Sequence, residues 1–349
     1  MPKLQGVGHG QAVAQLRGGV VPIAGAALLL ALGVFSAAST WLSRQYALKR
    51  KLMDAPGERR SHTVATPRGG GVAIVAAVLL TCGWAALQWP QHGAGIATVA
   101  AGIVLVAGVG WWDDHRSLSA ALRLLVHMVA ATLLAALVYK ASQPLWVVAL
   151  VWLAAVSLIN IWNFMDGING LASSQAMFAA LGFAWLLPEP LRWPCWVLLV
   201  ACAGFLPFNY PRARIFLGDV GSGALGYLIA ALFAWCIVAG GQAPWLPALP
   251  LSAFAIDAGF TLASRMLAGE RWWQPHAQHF YQRWVHTGSS HTVVTLAYGL
   301  FSIVAITIAR LGRPLDAGLQ AGLTIAWFCS AGVLWLALRN RMRRTLTDY

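Results

Sequence analysis

Charge is what this sequence has least of. Only 10% of its 349 residues are Asp, Glu, Lys or Arg, against 59% that are hydrophobic, a balance that leaves too few solvated side chains to cover a water-soluble globule. The apolar residues fall instead in repeated blocks of about 20, the length that crosses a bilayer as helix. Acids are scarcer still, 11 Asp and Glu against 24 Lys and Arg. In a soluble chain the formal charge of +13 would suggest nucleic acid. Here the basic residues sit between apolar blocks, where they set orientation and meet anionic lipid or phosphate, so no nucleic-acid partner is expected. Cysteine is sparse as well: Cys82, Cys195, Cys202, Cys236 and Cys329 are scattered with no C-x-x-C pair, a pattern that indicates neither a zinc site nor a disulfide framework. The first apolar block, Val20 to Leu42, is longer than a signal-peptide core and leads into a basic loop, so it is expected to stay as a span.

What is there is a succession of spans. Helices are expected at roughly 20 to 42, 70 to 90, 94 to 112, 120 to 140, 144 to 164, 171 to 188, 193 to 208, 221 to 241, 245 to 265, 292 to 312 and 318 to 338. The fold class expected is therefore all-α, a polytopic membrane protein of about eleven transmembrane helices forming one integral membrane domain. Eighteen of the 24 lysines and arginines fall in the loops after the odd-numbered helices and in the C-terminal run. By the positive-inside rule those segments face the cytoplasm, with the N-terminus periplasmic and the C-terminus cytoplasmic.

Most acids fall on the same side: Asp54, Glu58, Asp113, Asp114, Asp166, Asp219, Glu270 and Asp348. Carboxylates near a bilayer are expensive, so a single active site at the inner membrane surface is the expectation. The first inner loop, ending RSHTVATPRGGG, offers Arg60, His62 and Arg68 to a phosphate at the lipid surface, although such a loop is also what orientation alone requires. The second begins with Asp113 and Asp114, two like charges whose juxtaposition suits Mg²⁺ ligation or a base, or a helix cap. The third, NIWNFMDGINGLASS, clusters Asn163, Asp166, Gly167, Asn169 and Gly170 without a basic residue, which argues for ligand contact. In the fourth, Asp219 stands among glycines before a helix, either holding a metal that bridges a diphosphate or capping that helix. The fifth carries His276, His279, Gln282 and Arg283. On a helix, His276, His279 and Arg283 would share a face aimed at diphosphate or sugar, and the H-x-x-H spacing lacks a third zinc ligand. Asp257, about two turns inside helix 9, demands a partner or a wet site, and His127 reads as a satisfied buried histidine.

Together RSHTVATPRGGG, DDHRSLS, NxxDGINGLA, FLGDVGSGALG and the HxxHxYQR stretch, in order over residues 59 to 283, resemble the polyprenyl-phosphate N-acetylhexosamine-1-phosphate transferases, nearest to the branch that initiates O-antigen and lipopolysaccharide synthesis. The resemblance implies that a sugar 1-phosphate passes from a UDP-sugar to undecaprenyl phosphate, with Mg²⁺ (or Mn²⁺) as cofactor, at the cytoplasmic face of a bacterial inner membrane, in a chain that could be a homodimer. It implies that Asp219 ligates the metal with Asp114, and that Asp113 and Asp114 lie beside the polyprenyl phosphate. Asn163 and Asp166 would contact the nucleotide, Gly167, Ile168 and Asn169 the uracil, and His276, His279, Gln282 and Arg283 the diphosphate and sugar. Two departures stand out: Asn169 replaces an acid often found there, and the fifth loop lacks the triple histidine of the peptidoglycan enzyme, which speaks against a muramoyl-pentapeptide donor. A transporter would place its polar residues at mid-membrane in paired, interrupted helices. A membrane prenyltransferase would need two aspartate-rich clusters, and neither pattern is present.

Overall fold

The computed structural model describes residues 23–55, 57, 64–271 and 276–347. These form helices α1 (Ile23–Arg50), α2 (Val72–Gln88), α3 (Gly93–His115), α4 (Ala120–Lys140), α5 (Leu145–Phe164), α6 (Leu171–Leu186), α7 (Trp193–Asn209), α8 (Asp219–Val238), α9 (Trp245–Leu267, with a 3₁₀ turn at Leu249–Leu251), α10 (Phe280–His286), α11 (His291–Leu311) and α12 (Ala317–Thr347). Among the described residues the only strands are β1 (Met53–Asp54) and β2 (Thr66–Pro67), antiparallel with Met53 opposite Pro67. The protein is an all-α polytopic membrane protein. Among the described residues eight helices are long and apolar enough to cross a bilayer, while α2, α6 and α7 are apolar but shorter, at 17, 16 and 17 residues. At 1.5 Å per residue such helices fall short of a bilayer's ~30 Å hydrocarbon core.

The α1 helix runs on past the expected end at 42 to Arg50, and α12 past 338 to Thr347. In both, hydropathy stops where helix-forming polar residues continue, and Lys49 and Arg50 in the last turn of α1 suit the negative end of the helix dipole.

Helix α8 is the hub. It is buried on nearly every face and packs on α3 and α5, as a helix apolar all round must. Without a hydrophobic force between helices in lipid, such close approach depends on small residues. A Cβ on Gly226 would come within 2.3 Å of the Leu158 carbonyl oxygen of α5, and one on Gly110 within 2.3 Å of the Asp219 carbonyl oxygen. The second contact presses the first residue of α8 against the end of α3 that carries Asp113 and Asp114. Likewise a Cβ on Gly71 would lie 2.1 Å from the Gly221 Cα, so the glycine run of the first loop lets α2 start directly against α8.

Candidate active site

Four elements converge on the N-terminus of α8: the first loop and helices α3, α4 and α5. The chain from Pro67 to Gly71 pairs with 216–217: Phe216 N–H donates to the Pro67 carbonyl at 2.7 Å, Gly70 N–H to Phe216 at 2.9 Å and Gly71 N–H to Leu217 at 2.8 Å. This delivers Arg68 to Asp114, its Nε 3.8 Å from Oδ1 and its Nη2 donating to the Asp114 carbonyl. The carboxylate of Asp114 is almost wholly buried and accepts the N–H groups of Asp219 and Val220, both at 3.2 Å. A carboxylate from the end of α3 thus caps α8, satisfying N–H groups that no intrahelical carbonyl can reach. Gly218 makes this geometry accessible, with φ of 75° and no room for a Cβ, which would lie 2.6 Å from Asp114 Oδ2.

Asp113 faces the other way. Its Oδ1 accepts the Leu118 N–H at 2.5 Å, and its Oδ2 pairs with Arg123 Nη1 at 3.0 Å. Arg123 sits in the first turn of α4, which begins where the Ser119 hydroxyl accepts the Leu122 N–H at 3.2 Å. The same Nη1 lies 3.3 Å from Asp219 Oδ2, while Asn163 Nδ2 donates to Asp219 Oδ1 at 3.0 Å and to Ser222 Oγ at 3.1 Å. Asp113, Arg123, Asp219, Asn163 and Ser222 therefore form one network spanning α3, α4, α5 and α8. The expected metal pair was Asp219 with Asp114. In the structure Asp113 is the acid that shares Arg123 with Asp219, while both oxygens of Asp114 accept N–H groups at the start of α8. Arg123 was not singled out from sequence, and Ser222 was weighed there only as a cap of this helix. A cation just inside an apolar helix was the available signal for Arg123.

The third loop lies beside this network. Burial raises the Asp166 carboxyl to about 8, with the nearby negative charges of Asp219 and Asp114 adding to it. Gly170, at φ 74°, donates its N–H to Asn209 Oδ1 at 2.7 Å. Asn169 gives its side-chain N–H to the Pro211 carbonyl at 3.0 Å, and its own carbonyl accepts the Thr295 hydroxyl at 2.9 Å. Side-chain amide and main-chain carbonyl thus tie three segments together. Ile168 is buried in the apolar core, so its side chain packs the loop from beneath, and Gly167 lies under Tyr281, where a Cβ would meet the phenol oxygen at 2.1 Å.

Loop five differs from the helical face expected. His276 and His279 precede α10, with His279 in extended backbone (ψ 149°) at its N-cap. The helix starts there because Asp257, 1% exposed, accepts the N–H groups of Phe280 at 2.7 Å and Tyr281 at 3.3 Å, together with the Tyr298 hydroxyl at 2.7 Å. The buried acid of α9 has found its partner as a cap. The two histidine rings still meet, with centroids 4.9 Å apart. Burial lowers both imidazoles, His276 to about 4 with His279 as the next cause, so at neutral pH they are uncharged donors and acceptors. Gln282 is buried, its Oε1 accepting the His279 N–H at 3.2 Å, which makes it a capping residue. Arg283 Nε donates to the Gln278 carbonyl at 3.1 Å. Tyr281 joins this loop to the third by donating its hydroxyl to the Phe164 carbonyl at 3.0 Å. Arg60 and His62 lie outside the described residues.

One titration follows from this geometry. A carboxyl that holds its proton more tightly folded than unfolded contributes stability that is fully present below about 3.8 and is lost as pH rises through about 8. The metal-free protein is therefore expected to lose thermal stability from pH 5 to 8.5 more steeply than its Asp166→Asn variant. Parallel melting profiles for the two proteins would contradict it.

The sequence profile of glycosyl transferase family 4 matches residues 96–237, the stretch that holds Asp113, Arg123, Asn163 and Asp219. The decaprenyl-phosphate N-acetylglucosaminephosphotransferase of Mycobacterium tuberculosis is 28% identical, over 87% of this chain and 87% of its own length. The undecaprenyl-phosphate alpha-N-acetylglucosaminyl 1-phosphate transferase of Salmonella typhi is 24% identical over 80% and 82%. A phospho-N-acetylmuramoyl-pentapeptide-transferase of Thermosynechococcus vestitus is 32% identical over 48% and 51%. Motifs, fold and relatives agree in supporting an enzyme similar to glycosyl transferase family 4 and, within it, to the polyprenyl-phosphate N-acetylhexosamine-1-phosphate transferases.

Proposed function

We propose that this enzyme transfers N-acetylhexosamine 1-phosphate from a UDP-sugar to undecaprenyl phosphate at the cytoplasmic surface of the inner membrane, releasing UMP. The polyprenyl-diphosphate sugar so made would start O-antigen or another surface polysaccharide. The observation that carries this reading is the Asp113–Arg123–Asp219–Asn163 network at the end of four helices. It sits inside the stretch matched to the family, with Arg68 beside it. The relatives that align over most of the chain are named for N-acetylglucosamine transfer, which makes UDP-N-acetylglucosamine the first donor to try.

Hard carboxylate oxygens of Asp113 and Asp219 converge on a single nitrogen of Arg123, the kind of oxygen donor that a divalent cation takes. Among the described residues no three His, Cys, Asp or Glu side chains are arranged to hold a metal by themselves. That suits Mg²⁺ or Mn²⁺ held by one or two carboxylates and completed by substrate phosphate. When bound, the cation offsets the charge of two anions brought together. The rest falls to this chain. Arg68 meets the lipid phosphate, and Arg283, with the uncharged His276 and His279 as hydrogen-bonding partners, faces the diphosphate and sugar. A lipid-phosphate oxygen forms its bond to the β-phosphorus, the bond from that phosphorus to the bridging oxygen breaks, and UMP leaves with the electron pair. Asp113 takes the proton that the lipid phosphate still carries. We favour this direct attack over a covalent aspartyl intermediate.

Purified protein given undecaprenyl phosphate, Mg²⁺ and a panel of UDP-N-acetyl sugars should release UMP; no release with any donor would overturn the reading. Cysteines placed at Ser61, Ser117 and Gly288 should react only from the cytoplasmic side, and one at Glu189 only from outside. Reaction of any of the first three from outside would break the single-face arrangement.

A further inference from the structure

We infer that Arg123 and the divalent cation compete for the same carboxylate oxygens, so that metal binding releases the guanidinium to the donor diphosphate. The inference rests on the metal reading above. One nitrogen, Arg123 Nη1, contacts Asp113 Oδ2 at 3.0 Å and Asp219 Oδ2 at 3.3 Å. A magnesium ion shared by those oxygens would sit at about 2.0–2.1 Å from each, inside the space the guanidinium nitrogen fills. The guanidinium group keeps its charge in proteins, so only movement of the side chain can clear that space. Two cations cannot share the oxygens at such separations, so the guanidinium must give up at least one carboxylate when the metal enters.

The surroundings show where it can go. Asn163 holds the other oxygen of Asp219 and the Leu118 N–H the other oxygen of Asp113, so both carboxylates keep their orientation when Arg123 lets go. Arg123 is anchored by its backbone in the first turn of α4, its side chain is about a third exposed, and its buried Nε makes no hydrogen bond. Rotation about its own side-chain bonds is enough to present the planar fork to a phosphate, the acceptor that fork matches best. Metal and nucleotide then help each other: the metal frees the arginine that the diphosphate needs, and the diphosphate holds the arginine away from the metal's ligands. Such coupling is reciprocal in affinity.

The test uses the full-length protein in detergent, with Mn²⁺ binding read by the loss of its free-ion EPR signal, with and without UDP. Without nucleotide, Arg123→Gln should bind Mn²⁺ at least about fivefold more tightly than wild type, because a competing cation has gone. The tightening of Mn²⁺ by UDP should shrink in the variant. Should the glutamine variant not fold, Arg123→Met, which keeps the aliphatic stem, serves in its place. Mn²⁺ bound equally or more weakly by the variant, or an undiminished effect of UDP, would overturn the competition while leaving the metal reading standing. Wild-type protein that binds no Mn²⁺ even with UDP would remove both.

Discussion

Replacing Asp219 by asparagine should lower UMP release by at least about 100-fold, equivalent to ~2.7 kcal/mol of barrier, with little change in melting temperature. The side chain has two assigned oxygens: Oδ1 accepts from Asn163 Nδ2 and Oδ2 from Arg123 Nη1. An amide keeps one acceptor and turns an N–H₂ toward whichever donor remains, so either Asn163 or Arg123 faces a like group and the network opens. The negative charge expected to hold the metal goes as well. Folding should survive, because the N-terminus of α8 is capped by Asp114 rather than by Asp219 itself, and the Asp219 side chain is a third exposed. Retention of more than about a tenth of wild-type turnover, a loss below ~1.4 kcal/mol, would show that Asp219 does not ligate the metal.

Asp257→Ala is expected to have its large effect on stability. Its carboxylate accepts from two backbone N–H groups of α10 and from the Tyr298 hydroxyl, with Trp335 Nε1 at 3.4 Å, all in a buried setting. Alanine leaves those donors without an acceptor. At about 1–3 kcal/mol for each buried group left unsatisfied, a loss of roughly 3 kcal/mol or more is expected, seen as a marked drop in melting temperature and faster proteolysis near 280. Tyr298→Phe removes one hydrogen bond together with its donor and should cost only about 1 kcal/mol. Equal melting temperatures for wild type and Asp257→Ala would mean that α10 does not depend on this acid.

The course of the helices is legible in the sequence because blocks of apolar residues state it directly. The extra turns of α1 and α12 are not, since hydropathy ends before helical propensity does. What Asp113 and Asp114 each do is illegible for a geometric reason. Adjacent residues on a helix point about 100° apart, so one can reach Asp219 and Arg123 while the other reaches the α8 N–H groups, and composition treats the pair as one. Arg123 escaped notice by counting only as a positive loop charge. The spacing of His276, His279 and Arg283 suggested a helical face, but the start of α10 is decided by Asp257, 23 residues before the first N–H it accepts. The lowered basicity of the two histidines comes from burial, which no spacing reveals.

The way α10 is held bears on attempts to change the sugar this enzyme accepts. Its first two N–H groups end on Asp257 of α9, Tyr298 of α11 steadies the same carboxylate, and the Tyr281 phenol rests over Gly167 while donating to the Phe164 carbonyl. Residues 276–286 are thus not a detachable cassette. A transplant of that stretch from a relative with another donor would arrive without the acid and the α11 tyrosine that held it, and its failure would report a lost anchorage rather than a wrong pocket. An exchange that keeps these anchoring contacts carries α9 through α11 together into a host with glycine at 167.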